Sequence, residues 1–273
     1  MPDLHHATST DGTRIAYEAV GSGDPILLIG GAFNDRTTMT ALAGLLAPHH
    51  TVVDYDRRGR GDSQTGPTLL DDDQLAAAEI ADVASVLQDA ARLTGHTTGW
   101  HVFGHSSGAV LALRAATESG AHDIVTRVTA YEPTWIVPGT RPLPPADYRS
   151  QVYDALRHDD RDAAAAAFLQ HSARVPPAAI QQMVGTPPWF GMTALAHTLP
   201  NDLALHGPDW TPPRPGTAPP DKRVVVLVGS NSPQWFHATA HAASDAYAAT
   251  TTMLPGQDHN ILWQPQDLVP HLT

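Results

Sequence analysis

Residues 100–113, WHVFGHSSGAVLAL, decide how this chain folds. The apolar residues 100–103 are typical of a buried strand, and the alanine- and leucine-rich residues 109–116 are typical of a helix. Between them, residues 104–108 (GHSSG) fit the pattern G-x-S-x-G, whose glycines permit a sharp, strained turn from strand to helix. The pattern alone is common by chance. The strand before it and the helix after it favour Ser106 as an exposed nucleophile at the tip of the turn.

The composition is that of a globular protein and excludes several functional classes. Of 273 residues, 42% are apolar and 16% are charged, which is typical of a chain with a substantial core. A net charge of −12 argues against nucleic-acid binding, and the absence of cysteine excludes disulfides and thiolate catalysis. Neither a leader sequence nor a run able to span a bilayer is evident, so we expect a cytoplasmic protein with no membrane partner. The oligomeric state stays open.

Apolar runs alternate with helical patterns along the first half of the chain. Strands are predicted at 13–20, 25–29, 51–55, 100–103 and 124–131, and helices at 37–47, 75–93 and 109–116. This alternation predicts a mostly parallel, doubly wound α/β sheet with helices on both faces. The same rhythm returns near the end, with strands at 223–228 and 250–254 around a helix at 234–249.

An insertion interrupts this rhythm. Residues 134–222 contain many prolines and no convincing strand, with helical stretches at 146–156, 161–172, 178–184 and 189–198. A proline-rich segment, 212–220, reads as the linker back to the sheet. We therefore predict a core formed by residues 1–133 and 223–273, with the insertion as a helical unit of its own.

Loops at the carboxyl ends of the strands carry the candidate site residues. In an open α/β sheet, functional groups gather at that edge. Ser106 needs a base to remove its proton, and His259 lies on the loop after the last strand, where a base is expected. The N–H groups of Ala32, in a glycine loop, and of Ser107 are candidates to bind an oxyanion.

The chain resembles the α/β-hydrolase superfamily nearly from end to end, and in particular a group of small hydrolases found mainly in actinobacteria. The motifs that carry the resemblance are Gly30-Gly31-Ala32-Phe33-Asn34-Asp35-Arg36, the turn at 56–63, Gly104-His105-Ser106-Ser107-Gly108, Tyr131-Glu132-Pro133 and Gly256-Gln257-Asp258-His259. The resemblance implies Ser106 as nucleophile, His259 as base, and an oxyanion hole at the N–H groups of Ala32 and Ser107. It also implies that the insertion caps the site.

The third member of a catalytic triad is not where many α/β hydrolases have it. The loop after the strand at 223–228 reads GSNSP and contains no carboxylate. Asp245 falls within a predicted helix, and Asp258 directly precedes the histidine, so its side chain points elsewhere. We hypothesise that Glu132 is the acid, because it ends the strand that follows Ser106. Two alternatives stay open: Glu132 anchors the insertion or pairs with an arginine, and Asn231 or Ser232 steadies a Ser–His dyad.

Several other side chains are candidates to contact a substrate. Large side chains of the insertion either line an apolar pocket or form the core of the insertion itself. In the insertion these are Trp135, Trp189, Phe190, Met192 and Trp210, and Phe33 and His105 are further candidates outside it. His237, His241 and Asp245 have helical spacing, but we interpret this face as solvated and expect no metal and no cofactor. For the arginine-rich turn at 56–63, we expect Asp–Arg pairs within the turn.

These features predict a serine hydrolase that acts on an ester, thioester or lactone of a small to medium, largely apolar molecule. Carboxylate-nucleophile chemistry is disfavoured because a serine occupies the tip of the turn. Three alternatives remain: cleavage of a carbon–carbon bond, acyl transfer, or lyase or cyclase chemistry in the synthesis of a natural product. A ligand-binding protein without turnover is a further alternative, suggested by the missing acid after the strand at 223–228.

Overall fold

An eight-stranded, mostly parallel sheet forms the centre of the molecule. The computed structural model describes residues 2–67, 70–120, 123–216 and 222–273. The strands are β1 (Leu4–Thr8), β2 (Arg14–Gly21), β3 (Asp24–Ile29), β4 (His50–Tyr55), β5 (Trp100–His105), β6 (Val125–Tyr131), β7 (Arg223–Gly229) and β8 (Thr250–Leu254). Their order across the sheet is β1-β2-β4-β3-β5-β6-β7-β8. Only the pairs β1–β2 and β2–β4 are antiparallel.

Helices cover both faces of the sheet, and more helices lie between β6 and β7. In the described residues the α-helices are α1 (Thr40–Leu46), α2 (Asp72–Thr94), α3 (Ser107–Glu118), α4 (Tyr148–Arg157), α5 (Arg161–His171), α6 (Pro177–Met183), α7 (Pro187–Leu195), α8 (Leu199–Ala204), α9 (Gln234–Tyr247) and α10 (Val269–Leu272). Short 3-10 helices lie at Arg36–Met39, Ala196–Thr198, Ile261–Trp263 and Pro265–Asp267. The parallel sheet with helices on both faces confirms the predicted fold class.

The apolar residues form three clusters that follow this layering. One joins α2, α3 and α9 to the first face of the sheet, and another joins α1 and α10 to the second face. The third cluster belongs to the helices between β6 and β7, including the buried Trp189 and Leu199. This separate apolar core is consistent with the predicted insertion at 134–222. The division itself stays a prediction. The predicted linker, 212–220, extends into residues 217–220, which lie outside the described residues.

Two elements were missed by the sequence patterns. β1 has the sequence LHHAT, which lacks an apolar alternation because only one of its residues is buried. The helix predicted at 189–198 ends early: α7 stops at Leu195, a 3-10 turn follows, and α8 begins at Leu199 with Pro200 in its first turn. Proline is compatible with that position because the first N–H groups of a helix have no intrahelical partner.

None of the helices in the described ranges combines the length and the apolar character that spanning a membrane would need.

Candidate active site

The turn between β5 and α3 holds Ser106 in a strained conformation at the carboxyl edge of the sheet. Ser106 has φ 60° and ψ −124°, a backbone conformation that L-residues seldom adopt. The flanking glycines make the turn sterically feasible. A Cβ atom on Gly104 would lie 2.2 Å from the Gly108 carbonyl oxygen, and one on Gly108 would lie 2.5 Å from the Ile29 carbonyl oxygen. The local sequence therefore explains why strand and helix pack so closely below Ser106.

A chain of hydrogen bonds connects Ser106 to His259 and Glu132. The Ser106 hydroxyl lies 3.1 Å from Nε2 of His259, and Nδ1 of His259 lies 2.7 Å from Oε2 of Glu132. A carboxylate can only accept, so Nδ1 is the donor and Nε2 is left free to accept from the serine. The geometry is that of a nucleophile, a base and an orienting acid.

The Glu132 carboxylate is fully buried and bound at both oxygens. Oε1 accepts hydrogen bonds from the backbone N–H of Gly229, at 2.9 Å, and from the Ser232 hydroxyl, at 2.5 Å. Oε2 is thereby turned towards His259. The loop after β7 contains no carboxylate of its own. It therefore positions the carboxylate of Glu132, the residue that follows β6.

Two aromatic side chains at the strand ends hold the loop that carries His259. His105 Nε2 donates to the His259 carbonyl oxygen at 2.9 Å, and the Tyr131 hydroxyl donates to the Asp258 carbonyl oxygen at 2.6 Å. Burial, together with the nearby His259, lowers the pKa of His105 to about 3, so its ring is neutral. The ring of Phe236 stacks on His259, with 4.6 Å between centroids. His105 thus contacts the loop rather than the cavity described below.

The N–H groups of Ala32 and Ser107 are both without an acceptor among the described residues. The glycine loop before Ala32 is fixed from below by Arg60, which donates to the carbonyl oxygens of Gly31, at 2.6 Å, and of Asn34, at 3.0 Å. The Gly31 backbone lies against Ser106, since a Cβ atom added to Gly31 would be 2.8 Å from the Ser106 Cβ. Both N–H groups thus belong to segments that adjoin Ser106.

The arginines of the turn at 56–63 pair with distant acids, which makes the prediction of pairs within the turn wrong. Arg57 contacts Glu79 and Asp202, and Arg60 also contacts Asp202. The remaining ion pairs of these arginines join Arg58 to Asp82 and Asp11. The three guanidinium groups are buried, and acids of α2, α8 and the β1–β2 loop provide their charged partners.

Asp202, on α8, contacts Ser107, the residue next to Ser106. Its Oδ1 accepts a hydrogen bond from the Ser107 hydroxyl at 2.6 Å and another from Arg57 at 2.7 Å. Burial alone would raise the pKa of Asp202, but Arg60, Arg57 and the Ser107 hydrogen bond together hold it below its ordinary value. A charged carboxylate from the insertion is therefore locked under the turn that carries Ser106.

A cavity of about 290 Å³ opens above Ser106 and His259. Its lining is partly aromatic and partly polar, and it contains Ser106, Ser107, Thr134, Arg141, Phe168, Ser172, Ala173, Arg174, His206, Trp210, Asn231, Pro233, Trp235, Phe236, Asp258, His259 and Asn260. The insertion supplies one side of this lining and α9 with the His259 loop supplies another. The cavity therefore lies between the insertion and the sheet edge.

Trp210 lines this cavity, but most of the other large side chains predicted to contact a substrate lie away from it. Trp135 stacks on Tyr247 in the sheet core, and Trp189 is buried within the insertion, where its indole N–H donates to Asp162. Phe190 is 62% exposed, and Met192 packs on the core of the insertion. Phe33 contacts the lining of the cavity, because its ring packs edge-on against Phe168, which is one of the lining residues.

Several lining residues were missed by the sequence patterns, among them Arg141, Arg174, Trp235 and Phe236. Trp235 and Phe236 begin α9 directly after the loop that holds Glu132, so adjacency to that loop was a usable signal. The two arginines lie in irregular or polar segments of the insertion, where no periodicity marks a cavity-facing position. The described residues include no cluster of three or more His, Asp or Glu side chains suited to a metal ion.

Residues 26–271 match the alpha/beta hydrolase family. An alpha/beta hydrolase from Sphaerobacter thermophilus DSM 20745 is 36% identical, with a TM-score of 0.84 over 98% of both chains. N-formylmaleamate deformylase of Pseudomonas putida is 31% identical over 137 residues, which are 50% of this chain and 47% of that protein. The uncharacterized hydrolase YraK of Bacillus subtilis is 38% identical over 104 residues, 37% of this chain and 35% of that protein. The chain thus spans about half or less of the length of these two curated relatives.

Proposed function

Because the chain belongs to the alpha/beta hydrolase family, we propose that it is a serine hydrolase that cleaves esters, thioesters or lactones through an acyl-enzyme. The observation that carries the proposal is the unbroken hydrogen-bond chain from Ser106 through His259 to Glu132, with Ser106 facing the cavity. The hydrolase and deformylase names of its relatives support hydrolytic chemistry.

In the acylation step, His259 Nε2 takes the proton of the Ser106 hydroxyl as Oγ attacks the substrate carbonyl. The carbonyl oxygen becomes an oxyanion, which accepts hydrogen bonds from the N–H groups of Ala32 and Ser107. The imidazolium then protonates the leaving alkoxide or thiolate, and the acyl group stays on Ser106. A water activated by the same histidine hydrolyses the acyl-enzyme and restores the serine hydroxyl.

Glu132 holds the imidazole in the tautomer that leaves Nε2 free to accept, and its charge stabilises the imidazolium. The carboxylate is oriented by Gly229 and Ser232, so the histidine does not have to position it. The missing acid after β7 was the argument for a binding protein without turnover. The hydrogen bond between His259 and Glu132, which directly follows β6, supports a complete triad instead.

The cavity supports a substrate of small to medium size. At about 290 Å³ it is at the lower end of the range for small-molecule sites. Phe168, Trp210 and Trp235 provide apolar walls near the nucleophile. An acyl or alcohol group of modest size, with substantial apolar surface, fits this lining best.

Labelling with a fluorophosphonate probe tests the proposal. We expect covalent modification at Ser106 of the wild-type protein, and its loss in Ser106→Ala and His259→Ala, because attack on phosphorus needs the serine and its base. Ser150→Ala, an exposed serine on α4, is the matched control and retains labelling. Labelling of folded Ser106→Ala at the wild-type rate, or an unreactive wild-type protein, would overturn the assignment.

A further inference from the structure

Two arginines of the insertion, Arg141 and Arg174, line the cavity above Ser106. Neither makes an ion pair with a carboxylate within the described residues. The contrast is with Arg57, Arg58 and Arg60, each of which contacts at least one buried acid. Arg141 is half-buried and Arg174 is exposed. A half-buried guanidinium without a carboxylate partner is costly to keep, because burial removes water that would otherwise solvate the charge.

The contacts of Arg141 leave part of its guanidinium unsatisfied. Nη1 donates to the Ser172 carbonyl oxygen at 2.8 Å, and the guanidinium lies 4.1 Å above the Trp235 ring. Nε is buried without a hydrogen-bond partner. Burial and the neighbouring Arg174 lower the pKa of Arg141 to about 10, so the group is still cationic near neutral pH. The structure thus fixes a positive charge in place without neutralising it.

A stack of rings joins this charge to the base. Trp235 stacks on Phe236 at 3.6 Å between centroids, and Phe236 stacks on His259 at 4.6 Å. Arg141 therefore stands at the far end of an aromatic wall that starts at His259. One acid, Asp258, is among the lining residues, and it is exposed and accepts a hydrogen bond from the Asn260 N–H.

We propose that Arg141, with Arg174, forms an anion subsite that binds a carboxylate of the substrate, so that the enzyme prefers esters or lactones that also carry a free carboxylate. The proposal rests on the proposed hydrolase function for its catalytic readout. A guanidinium accommodates a carboxylate through charge-assisted, paired hydrogen bonds, which an ammonium cannot reproduce. The aromatic wall carries the apolar part of the substrate between the carboxylate and the scissile carbonyl.

Matched substrates test the subsite by activity. The acyl-side pair is mono-4-nitrophenyl adipate and its methyl ester, and the alcohol-side pair is 4-butyryloxyphenylacetic acid and its methyl ester. We expect wild-type kcat/KM to favour the acid over the methyl ester in at least one pair. Arg141→Met should reduce this ratio about 10- to 100-fold, the size of one charge-assisted contact, and Arg141→Lys should restore it only in part. Arg157→Met, a substitution of an exposed arginine on α4, is the matched control and leaves the ratio unchanged.

A ratio measured on one preparation cancels any loss of folded enzyme, so a merely structural effect of Arg141→Met lowers both rates equally. Equal losses on acid and methyl ester, or no wild-type preference in either pair, would overturn the subsite.

Binding of adipate to Ser106→Ala by calorimetry adds a readout that needs no turnover. We expect Arg141→Met in that background to weaken binding at least tenfold, and equal binding by the two proteins would overturn the subsite. Arg141-dependent adipate binding in a wild-type protein that hydrolyses no ester would support the subsite while refuting the proposed hydrolase function.

Discussion

Glu132, which directly follows β6, accepts hydrogen bonds from three donors, and this explains how its carboxylate is held against a histidine that follows β8. Its Oε1 is occupied by Gly229 and Ser232, which leaves Oε2 for the His259 ring. Glu132 itself has φ 49°, a left-handed conformation rare outside glycine. Backbone strain of this kind is concentrated at functional sites.

Replacing Glu132 by Gln tests its assignment as the acid. The side-chain amide of the introduced glutamine would donate to Nδ1 of His259, which would place the proton on Nε2 and prevent His259 from accepting the Ser106 proton. We expect kcat/KM on a neutral 4-nitrophenyl ester to fall by about 10³- to 10⁴-fold. Ser232→Ala is a milder comparison, because it removes one of the hydrogen bonds to Oε1 and keeps the charge. We expect it to lose about tenfold. Wild-type kcat/KM in Glu132→Gln would instead favour a Ser–His dyad.

At the scale of elements, the turn that carries Ser106 depends on Gly108, the second residue of α3. A methyl group there would lie 2.5 Å from the Ile29 carbonyl oxygen and 2.6 Å from that of Gly30. Both are backbone atoms of the neighbouring strand and loop, so no side chain can move to relieve the clash. We expect Gly108→Ala to lower the free energy of unfolding by about 2–4 kcal/mol, as overpacked sites do.

Gly44→Ala provides the matched control for Gly108→Ala. Gly44 lies within α1, and a methyl group added there would have no heavy atom of another residue within 4 Å, its chain neighbours and its own helix backbone aside. Alanine is favoured over glycine in a helix by about 0.8–1 kcal/mol, so we expect this variant to be slightly more stable than wild type. Urea denaturation, followed by tryptophan fluorescence, measures the free energy of unfolding of both variants. A Gly108→Ala protein as stable as Gly44→Ala would contradict the packing argument.

The short helix α8 attaches the insertion to the sheet through Asp202. Asp202→Asn keeps the shape but removes the charge that pairs with both Arg57 and Arg60. Breaking a buried ion pair by neutralising one partner typically costs about 3–5 kcal/mol, and we expect a loss of that size in urea denaturation. Asp154→Asn removes an exposed pair with Arg157 and should cost less than about 1 kcal/mol. Equal stability of the two variants would show that the buried network does not hold the insertion.

Local sequence predicted β3 and β5, whose burial is nearly continuous, and α2, whose buried residues form one face, because each carries its own apolar pattern. It also brought Ser106, His259 and Glu132 into one hypothesis, since parallel strands present their carboxyl ends at one edge. It failed where the deciding partner is distant in sequence. The acids that pair with Arg57 lie at positions 79 and 202, and Arg141 meets Trp235 only in the fold. No short-range pattern encodes such pairings.

At the scale of the whole molecule, buried histidines are spread through different regions, and His101, His105 and His206 are among them. His101 lies in the sheet and contacts the Thr129 hydroxyl, His105 lies at the site, and His206 contacts Thr134 of the insertion. Burial is the largest cause of a lowered pKa in each, to about 3 for His101 and His105 and to about 4 for His206. Each imidazole is therefore neutral when folded at pH values where an unfolded histidine is protonated.

These three histidines should consequently destabilise the folded protein on mild acidification. The folded pKa values lie below the unfolded value of about 6.5, so these groups contribute fully above pH 6.5. Between pH 6.5 and about 4 the unfolded chain binds more protons, and each group removes up to about 1.4 kcal/mol per pH unit. Urea denaturation at a series of pH values from 7.5 to 5 measures the slope. We expect His101→Gln, which keeps a polar group facing Thr129, to reduce the contribution of the three histidines to the slope by about a third. A slope unchanged by this substitution would contradict the assignment of His101 as a buried neutral group.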